Sequence, residues 1–455
     1  VAIVGASDRS YYARSVFENL VRLGFPPDAV TLVNPNRAEA FGRACVGALD
    51  TAVDLAVLVT PTETVPALVR DCAAAGVGAC LVLSDGFAEA GPAGAALQSE
   101  AAAAARDGGV ALVGPNTMGL VVPGARLGTW GGPLPPITEG AVSAVFQSSG
   151  LLNLLFSVFS TRRIGLRLAI SVGNEGGVTV ADALRYAVDD EGTKIVVMFI
   201  ESISAGAALR EALERADELG TPVVVLRAGR SERARRNVIA HTGKIASSGA
   251  SWDALFKQTG AVAVGNVDEL IETTALFARA GAGLQGGLGF ATISGGDCTL
   301  FADLAERVGV TMPEPSRREE LAEIVGKPAL VGNPLDVENL WRADQDRFFR
   351  AIELLCREPS FGIAAFRLNL PETPERIREA YVRVAALART NGKLPVFLSR
   401  ASEPLDPAWH ALFAELGTPF LQEYERALRA IRSLIVFGAR HDARHEPQRA
   451  SRARA

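Results

Sequence analysis

Short runs of β-branched and other apolar residues alternate with Ala/Leu/Glu/Arg-rich stretches of helical period along nearly the whole chain. A strand that is apolar on both faces must be covered on both, and the intervening helices supply that cover. The pattern therefore predicts an α/β protein with parallel sheets and crossover helices. The chain is 455 residues long, room for two to four domains of about 100 to 200 residues each.

The alternation breaks twice, which divides the chain into three doubly wound units. The first has strands over residues 2–4, 30–33, 55–59, 79–83 and 111–113, with helices over 15–23 and 63–75. A Gly/Pro-rich stretch at 124–140 ends it. The second has strands over 141–145, 168–172, 194–200, 222–226 and 261–264, and closes on a helix over 267–280. A segment with five glycines, 281–289, follows. The third has strands over 290–293, 362–368, 394–398 and 420–422 and a last helix over 424–437. The domain boundaries read 1–125, 138–282 and 288–438. Residues 440–455 carry five Arg and two His and read as a disordered, solvated tail. The chain opens inside an apolar run, Val1-Ala2-Ile3-Val4, as if its first native residues were missing.

Charge and cysteine use narrow the function classes. The net charge is 46 − 51 = −5 and aromatic residues make up 6%, so neither a basic field nor a stacking platform for nucleic acid is expected. Five cysteines without a short ligand spacing suit a reducing cytoplasm and predict no metal site. The longest apolar stretches are strand-sized, and no membrane span is expected.

In open α/β sheets ligands sit beyond the C-terminal strand ends, where helix N-termini offer free N–H groups to anions. Gly5-Ala6-Ser7-Asp8 follows the first strand and can cradle a phosphate or simply make a tight turn. It lacks the second and third glycines of a dinucleotide fingerprint. The second strand ends in Asn34-Pro35 without the carboxylate that an NAD ribose prefers, which weakens an oxidoreductase reading. Thr60-Pro61, Ser84-Asp85-Gly86 and Asn116-Thr117 close the next strands and line the same edge. Together they suit an extended phosphorylated ligand.

His241 stands apart from the other three histidines. His441 and His445 fall in the tail, and His410 lies on an amphipathic helix where packing is the simpler role. His241 occupies a loop, Ala240-His241-Thr242-Gly243-Lys244, whose small residues leave the ring approachable. Glu201 closes a buried-looking strand at a ligand-side position and can orient an imidazole. Trp130, Phe146, Phe156 and Phe159 can line an acyl pocket, although helix-face aromatics more often belong to the core.

These residues, taken in order, resemble the α-type part of the NDP-forming acyl-CoA synthetases (ADP-forming acetyl-CoA synthetases), relatives of the succinyl-CoA synthetase α subunit. The resemblance rests on Val4-Gly5-Ala6-Ser7, Asn34-Pro35, Gly114-Pro115-Asn116-Thr117, Gln147-Ser148-Ser149-Gly150, Ser171-Val172-Gly173-Asn174, the segment at Glu201, Ala240-His241-Thr242-Gly243 and Asn333-Pro334-Leu335-Asp336. It spans residues 1 to about 438.

The resemblance implies a Rossmann-like CoA-binding domain followed by two flavodoxin-like domains. Coenzyme A would be held by Gly5, Ala6, Ser7, Asn34, Pro35, Thr60, Pro61, Ser84, Gly86, Asn116 and Thr117. It also implies that His241 carries a phosphoryl group between nucleotide and carboxylate, steadied by Glu201. Ser148, Ser149, Gly150, Gly173, Asn174, Thr242 and Gly243 would bind that phosphate. Splitting the reaction so turns the carboxylate into an acyl phosphate that the CoA thiol attacks.

ATP or ADP and Mg²⁺ would sit on an ATP-grasp β subunit, in a heterotetramer acting on a carboxylic acid. Lys244 and Ser247 depart from the Ala and Gly common at those places. That departure keeps open a second reading, a CoA-binding sensor or scaffold whose phosphoryl transfer has lapsed.

Overall fold

The structure is a computed structural model that describes residues 1–234, 249–280, 284, 286–327 and 331–452. The chain divides into two compact units. One holds residues 1–160 and 165–263, the other residues 161–164 and 264–455.

The first unit contains two sheets. In the first of them β1 (Ala2–Val4), β2 (Thr31–Val33), β5 (Leu55–Leu58), β6 (Ala79–Val82) and β7 (Ala111–Val113) run parallel in the order β2-β1-β5-β6-β7. A small antiparallel pair, β3 (Glu39–Ala40) and β4 (Arg43–Ala44), follows β2. The strands are apolar on both faces because both are covered. Ile3 packs with Ala13, Val16 and Leu20 of α1 (Tyr11–Leu23). Its neighbours Ala2 and Val4 face Val65, Val69 and Cys72 of α2 (Val65–Ala74) and Ala101, Ala104 and Ala105 of α3 (Pro92–Asp107). Each buried Val or Leu on these faces contributes about 1.5–3 kcal/mol. Helix α1 starts earlier than its apolar period suggests, because the Ser10 hydroxyl accepts the Ala13 N–H as an N-cap.

The second sheet runs β14-β13-β12-β10-β11-β8-β9. Its strands are β8 (Leu120–Val122), β9 (Leu127–Gly128), β10 (Glu139–Phe146), β11 (Leu166–Ser171), β12 (Ile195–Ile200), β13 (Val223–Arg227) and β14 (Val262–Val264). Neighbours β10–β11, β10–β12 and β12–β13 are parallel, whereas β8 joins β11 antiparallel and β9 joins β8 antiparallel. The stretch read from sequence as an interrupting linker therefore contains the strand β9 and enters the second sheet as an edge hairpin. One face of the sheet packs against α5 (Val180–Asp189) and α6 (Gly206–Leu219) through Leu184, Val188, Leu209 and Leu213. Helix α4 (Ser149–Arg162) follows β10. Trp130, Phe146, Phe156 and Phe159 are all buried, with Trp130 and Phe156 meeting edge to face at 5.0 Å. They are core residues.

The second unit contains the third sheet, β16-β15-β17-β18-β19, all parallel. Its strands are β15 (Gly287–Thr292), β16 (Leu335–Asp336), β17 (Phe361–Arg367), β18 (Leu394–Ser399) and β19 (Phe420–Gln422). A large core of Phe348, Ile352, Tyr381, Trp409 and Phe413 covers one face. The helix Val267–Ala280 packs on Tyr424–Arg452 through Phe277 and Phe437, 5.8 Å apart. That last helix runs on to Arg452 rather than stopping near residue 437. Arg162 and Glu272 form a buried bidentate pair at 2.7 and 3.0 Å. Burial pushes the Glu272 carboxyl up, and the Arg162 guanidinium works against that shift.

With the β8–β9 hairpin set aside, numbering the strands of each sheet in chain order gives all three the order 2-1-3-4-5. Each therefore has a point beside its first strand where successive connections leave in opposite directions, the place where ligands bind in open α/β sheets. The α/β class expected from the alternating sequence is the class observed.

Candidate functional sites at the strand ends

At the switch point of the first sheet, between β1 and β5, lies a cleft of about 1160 Å³, just above the ~300–1,000 Å³ usual for small-molecule sites. Gly5, Ser7, Asn34, Pro35, Thr60 and Pro61 line it. Gly5 has φ +90°, and a Cβ there would stand 2.3 Å from the Val59 carbonyl oxygen; only glycine lets the turn close onto β5. The Gly5 and Ala6 N–H groups donate to the Val33 carbonyl at 2.9 and 3.2 Å. Asn34 locks the other side, its amide donating to the Ala6 carbonyl at 2.7 Å and its oxygen accepting the Asn36 N–H at 2.9 Å. Ala6 itself is fully buried behind the turn.

The cleft is prepared for a polar ligand. The Thr60 hydroxyl is buried and has no hydrogen-bond partner among the described residues, an arrangement that costs free energy until a ligand supplies one. Arg9 and the N-terminus of α1, whose first turn carries no acidic residue, face one end and favour an anionic group. Asp50 and Asp71 offer acceptors elsewhere on the wall, and Leu49, Leu68 and Cys72 supply apolar surface. The sequence reading missed these last five. They lie on a helix and a loop that only the fold brings to the strand ends.

Besides Ala6, four of the expected ligand residues lie outside this cleft. The Ser84 hydroxyl donates to the Thr60 carbonyl at 2.5 Å, and the Gly86 N–H donates to Glu89 Oε1 at 2.6 Å. The Asn116 amide donates to Asn174 Oδ1 at 3.2 Å, and the buried Thr117 hydroxyl donates to the Ser171 carbonyl at 2.6 Å. Ser84 and Gly86 thus bond among the strand ends of the first sheet, whereas Asn116 and Thr117 build the seam between the first two sheets. Gly173 and Asn174 are its other side. A Cβ on Gly173, at φ +56°, would stand 2.3 Å from the Pro115 carbonyl oxygen. The Asn174 amide donates to Glu89 and, at 3.0 Å, to Gln98. Burial opposes ionisation of Glu89, but the bonds from Asn174, Phe87 and Gly86 hold its carboxyl below the usual range.

The second sheet's switch point, between β10 and β12, carries Gln147 and Glu201. Gln147 Oε1 accepts the Glu201 and Ser202 N–H groups at 2.6 and 3.0 Å, and its Nε2 donates to the Ser202 carbonyl at 2.9 Å. The strand end that presents Glu201 is thereby fixed. Ser148 Oγ accepts the Leu151 N–H at 3.4 Å at the start of α4. The Ser149 hydroxyl is turned away into the seam, accepting the Met118 N–H at 3.0 Å and meeting Ser171 Oγ at 2.7 Å. Gly150 lies in the first turn of α4. On the far side Glu175, buried, accepts the Val180 N–H at 2.8 Å and the Ser204 hydroxyl. His241, Thr242 and Gly243, with Lys244 and Ser247, lie outside the described residues.

Residues 1–123 match the CoA binding domain, and residues 139–277 match the succinyl-CoA ligase like flavodoxin domain. The chain is 28% identical to the α subunit of an ADP-forming acetate–CoA ligase I of Pyrococcus furiosus, over 98% of this chain and 97% of that one. It is 25% identical to an ADP-forming 4-hydroxybutyrate–CoA ligase of Nitrosopumilus maritimus, over 96% of this chain and 63% of that protein. An ADP-forming acetate–CoA ligase of Methanocaldococcus jannaschii is 29% identical over 74% of this chain and 48% of its own length. The chain thus spans about half to two thirds of several longer curated relatives. A structure of a dinucleotide-forming acetyl-coenzyme A synthetase 1 from Ca. Korarchaeum cryptofilum, in complex with phosphate and ADP, superposes with a TM-score of 0.83. That pair is 25% identical and covers 97% of this chain and 96% of that one. With its CoA-binding domain followed by a succinyl-CoA ligase-like flavodoxin domain, the chain is similar over nearly its whole length to the α-type part of the ADP-forming acyl-CoA synthetases.

Proposed function

We propose that the chain is one part of an ADP-forming acyl-CoA ligase that converts a carboxylate, CoA and ATP to acyl-CoA, ADP and phosphate. The observation that carries this reading is the first switch-point cleft, with its glycine turn, its locked Asn34 and its unpartnered Thr60 hydroxyl. CoA would lie there, its phosphates toward Arg9 and the start of α1. The residues fit a long ligand that is part polar and part apolar.

The chemistry would belong to the second switch point. His241 would take the γ-phosphoryl group of ATP and pass it to the substrate carboxylate, giving an acyl phosphate. The CoA thiol, losing its proton, would attack the acyl carbon and expel inorganic phosphate. Glu201 would hold the imidazole in orientation through a hydrogen bond to its distal ring nitrogen. The turn at Ser148 to Gly150 would meet the phosphate with backbone N–H groups. Nucleotide and Mg²⁺ would be held by an ATP-grasp β partner, in a heterotetramer, in the cytoplasm. The three sheets would correspond to three domains, residues 1–125, 138–282 and 288–438.

The test is a reconstitution. The purified chain with an ATP-grasp partner should release ADP beyond one equivalent per chain only when acid, CoA and ATP are all present. Continued release that needs no acid, or acyl-CoA formed with AMP, contradicts the assignment.

A further inference from the structure

The third sheet repeats the order of the other two, and a cleft opens at the carboxyl ends of its third and fourth strands, β17 and β18, next to the switch point at β15. This one measures about 590 Å³ and is lined by Arg367, Asn369, Arg376, Ser399, Arg400 and Glu403, among others. Arg367 ends β17 and Arg400 follows β18. Both reach the same carboxylate, Asp297, on the helix Gly295–Val308 that follows β15. The distances are 3.4 Å for Arg367 and 3.3 Å for Arg400. Asp297 is 5% exposed and Arg367 only 17%.

One buried carboxylate cannot satisfy two guanidinium groups. Arg367 carries five N–H donors in a planar fork, and among the described residues its contact with Asp297 is its one ion pair. Its remaining donors open on the cleft. Arg376 adds a third cation at the mouth. The cleft and its floor therefore hold three guanidinium groups against the carboxylates of Glu403 and Asp297. The Tyr424 hydroxyl, buried beside Asp297, makes no well-formed hydrogen bond. A partly desolvated, under-paired arginine at the carboxyl end of a parallel strand is suited to take a planar or tetrahedral oxyanion in a bidentate bond. The volume leaves space for several more carbon atoms.

We propose that this cleft is a binding site for a small organic anion, gripped through its carboxylate or phosphate group by Arg367 and Arg400, with Arg376 at the entrance. The site is separate from the first-sheet cleft and from Glu201, and it stands whether or not the ligase reading holds.

Calorimetric titration of the full chain, without CoA or nucleotide, tests it with two probes, succinate and inorganic phosphate, at about 0.15 M salt. At least one probe should bind with a Kd of about 1 mM or tighter. Succinate alone identifies a carboxylate ligand, and phosphate alone a phosphoryl ligand. Arg367→Gln and Arg376→Gln should each weaken binding by about ten-fold or more. Arg376 is exposed and outside the buried pair, so its variant reports on binding even if Arg367→Gln fails to fold. Arg210→Gln, an exposed arginine on α6, should leave the affinity unchanged. Binding of neither probe overturns the proposal. So does unaltered affinity in Arg376→Gln and in a folded Arg367→Gln, or an equal loss of binding in Arg210→Gln.

Discussion

Gln147 holds the backbone of Glu201 across the switch point of the second sheet, its side-chain oxygen 2.6 Å from the Glu201 amide nitrogen. The same side chain bonds both polar groups of Ser202. The clamp joins the end of β10 to the end of β12, so the carboxylate stands on two strands rather than on a free loop.

Loss of that clamp should cost turnover more than binding. Gln147→Ala is expected to lower the rate of phosphoryl transfer by about 100-fold, the usual effect of a misplaced reacting group, with CoA affinity unchanged. Gln147→Glu keeps the acceptor for the two N–H groups and loses only the donor to the Ser202 carbonyl, so it should recover part of the rate. Single-turnover labelling beside CoA titration checks this; equal losses in both measurements contradict it.

Thr60→Val separates ligand binding from folding. The hydroxyl is buried and unpartnered, so removing it should leave the melting temperature unchanged or slightly higher. Affinity for CoA should fall by about ten-fold, the worth of one hydrogen bond. A lower melting temperature with unaltered affinity would show that the hydroxyl serves the fold.

Gly5→Ala should fail in both respects. The new Cβ meets the Val59 carbonyl at 2.3 Å in a left-handed backbone conformation, a strain of about 1–3 kcal/mol before any overlap is counted. Thermal unfolding should shift down and CoA binding should be lost. A variant that melts and binds like the parent contradicts the close packing of this turn.

His410 gives the stability an acid limb. Burial, then the charges of Arg162, Arg279 and Arg163, push its pKa down from 6.5 to about 4. Between those values the unfolded chain binds a proton that the folded chain refuses. Stability is therefore present in full above pH 6.5, falls as the pH drops toward 4, and levels below that. His410→Gln should flatten that part of the curve in denaturant unfolding measured from pH 7 to 4. An unchanged slope would show that other groups carry the limb.

The strand positions were legible because a doubly covered strand is apolar throughout, and each strand end fixes the next few residues. Gly5, Ser7, Asn34, Pro35, Thr60 and Pro61 were found in this way and do line the cleft. Asn116, Thr117, Gly173 and Asn174 sit at equally regular strand ends but went to the seam between sheets, and Ser84 spends its hydroxyl on the neighbouring strand end. The hairpin of β8 and β9, with strands three and two residues long, is too short to register as a period. Which strand ends face a ligand and which face a second sheet depends on contacts between residues far apart in sequence. The clamp by Gln147 and the sharing of Asp297 by Arg367 and Arg400 were illegible for the same reason. Each joins residues far apart in sequence.

The account turns on His241, and the most direct measurement is the chemical state of that residue. The chain should be incubated with an ATP-grasp partner and ATP labelled in the γ-phosphate, then digested and mapped. The prediction is an acid-labile, base-stable label on His241 that is discharged by acid and CoA, absent in His241→Asn, and reduced in Glu201→Gln. No label on His241 in the presence of an active partner, or full turnover by His241→Asn, would contradict it.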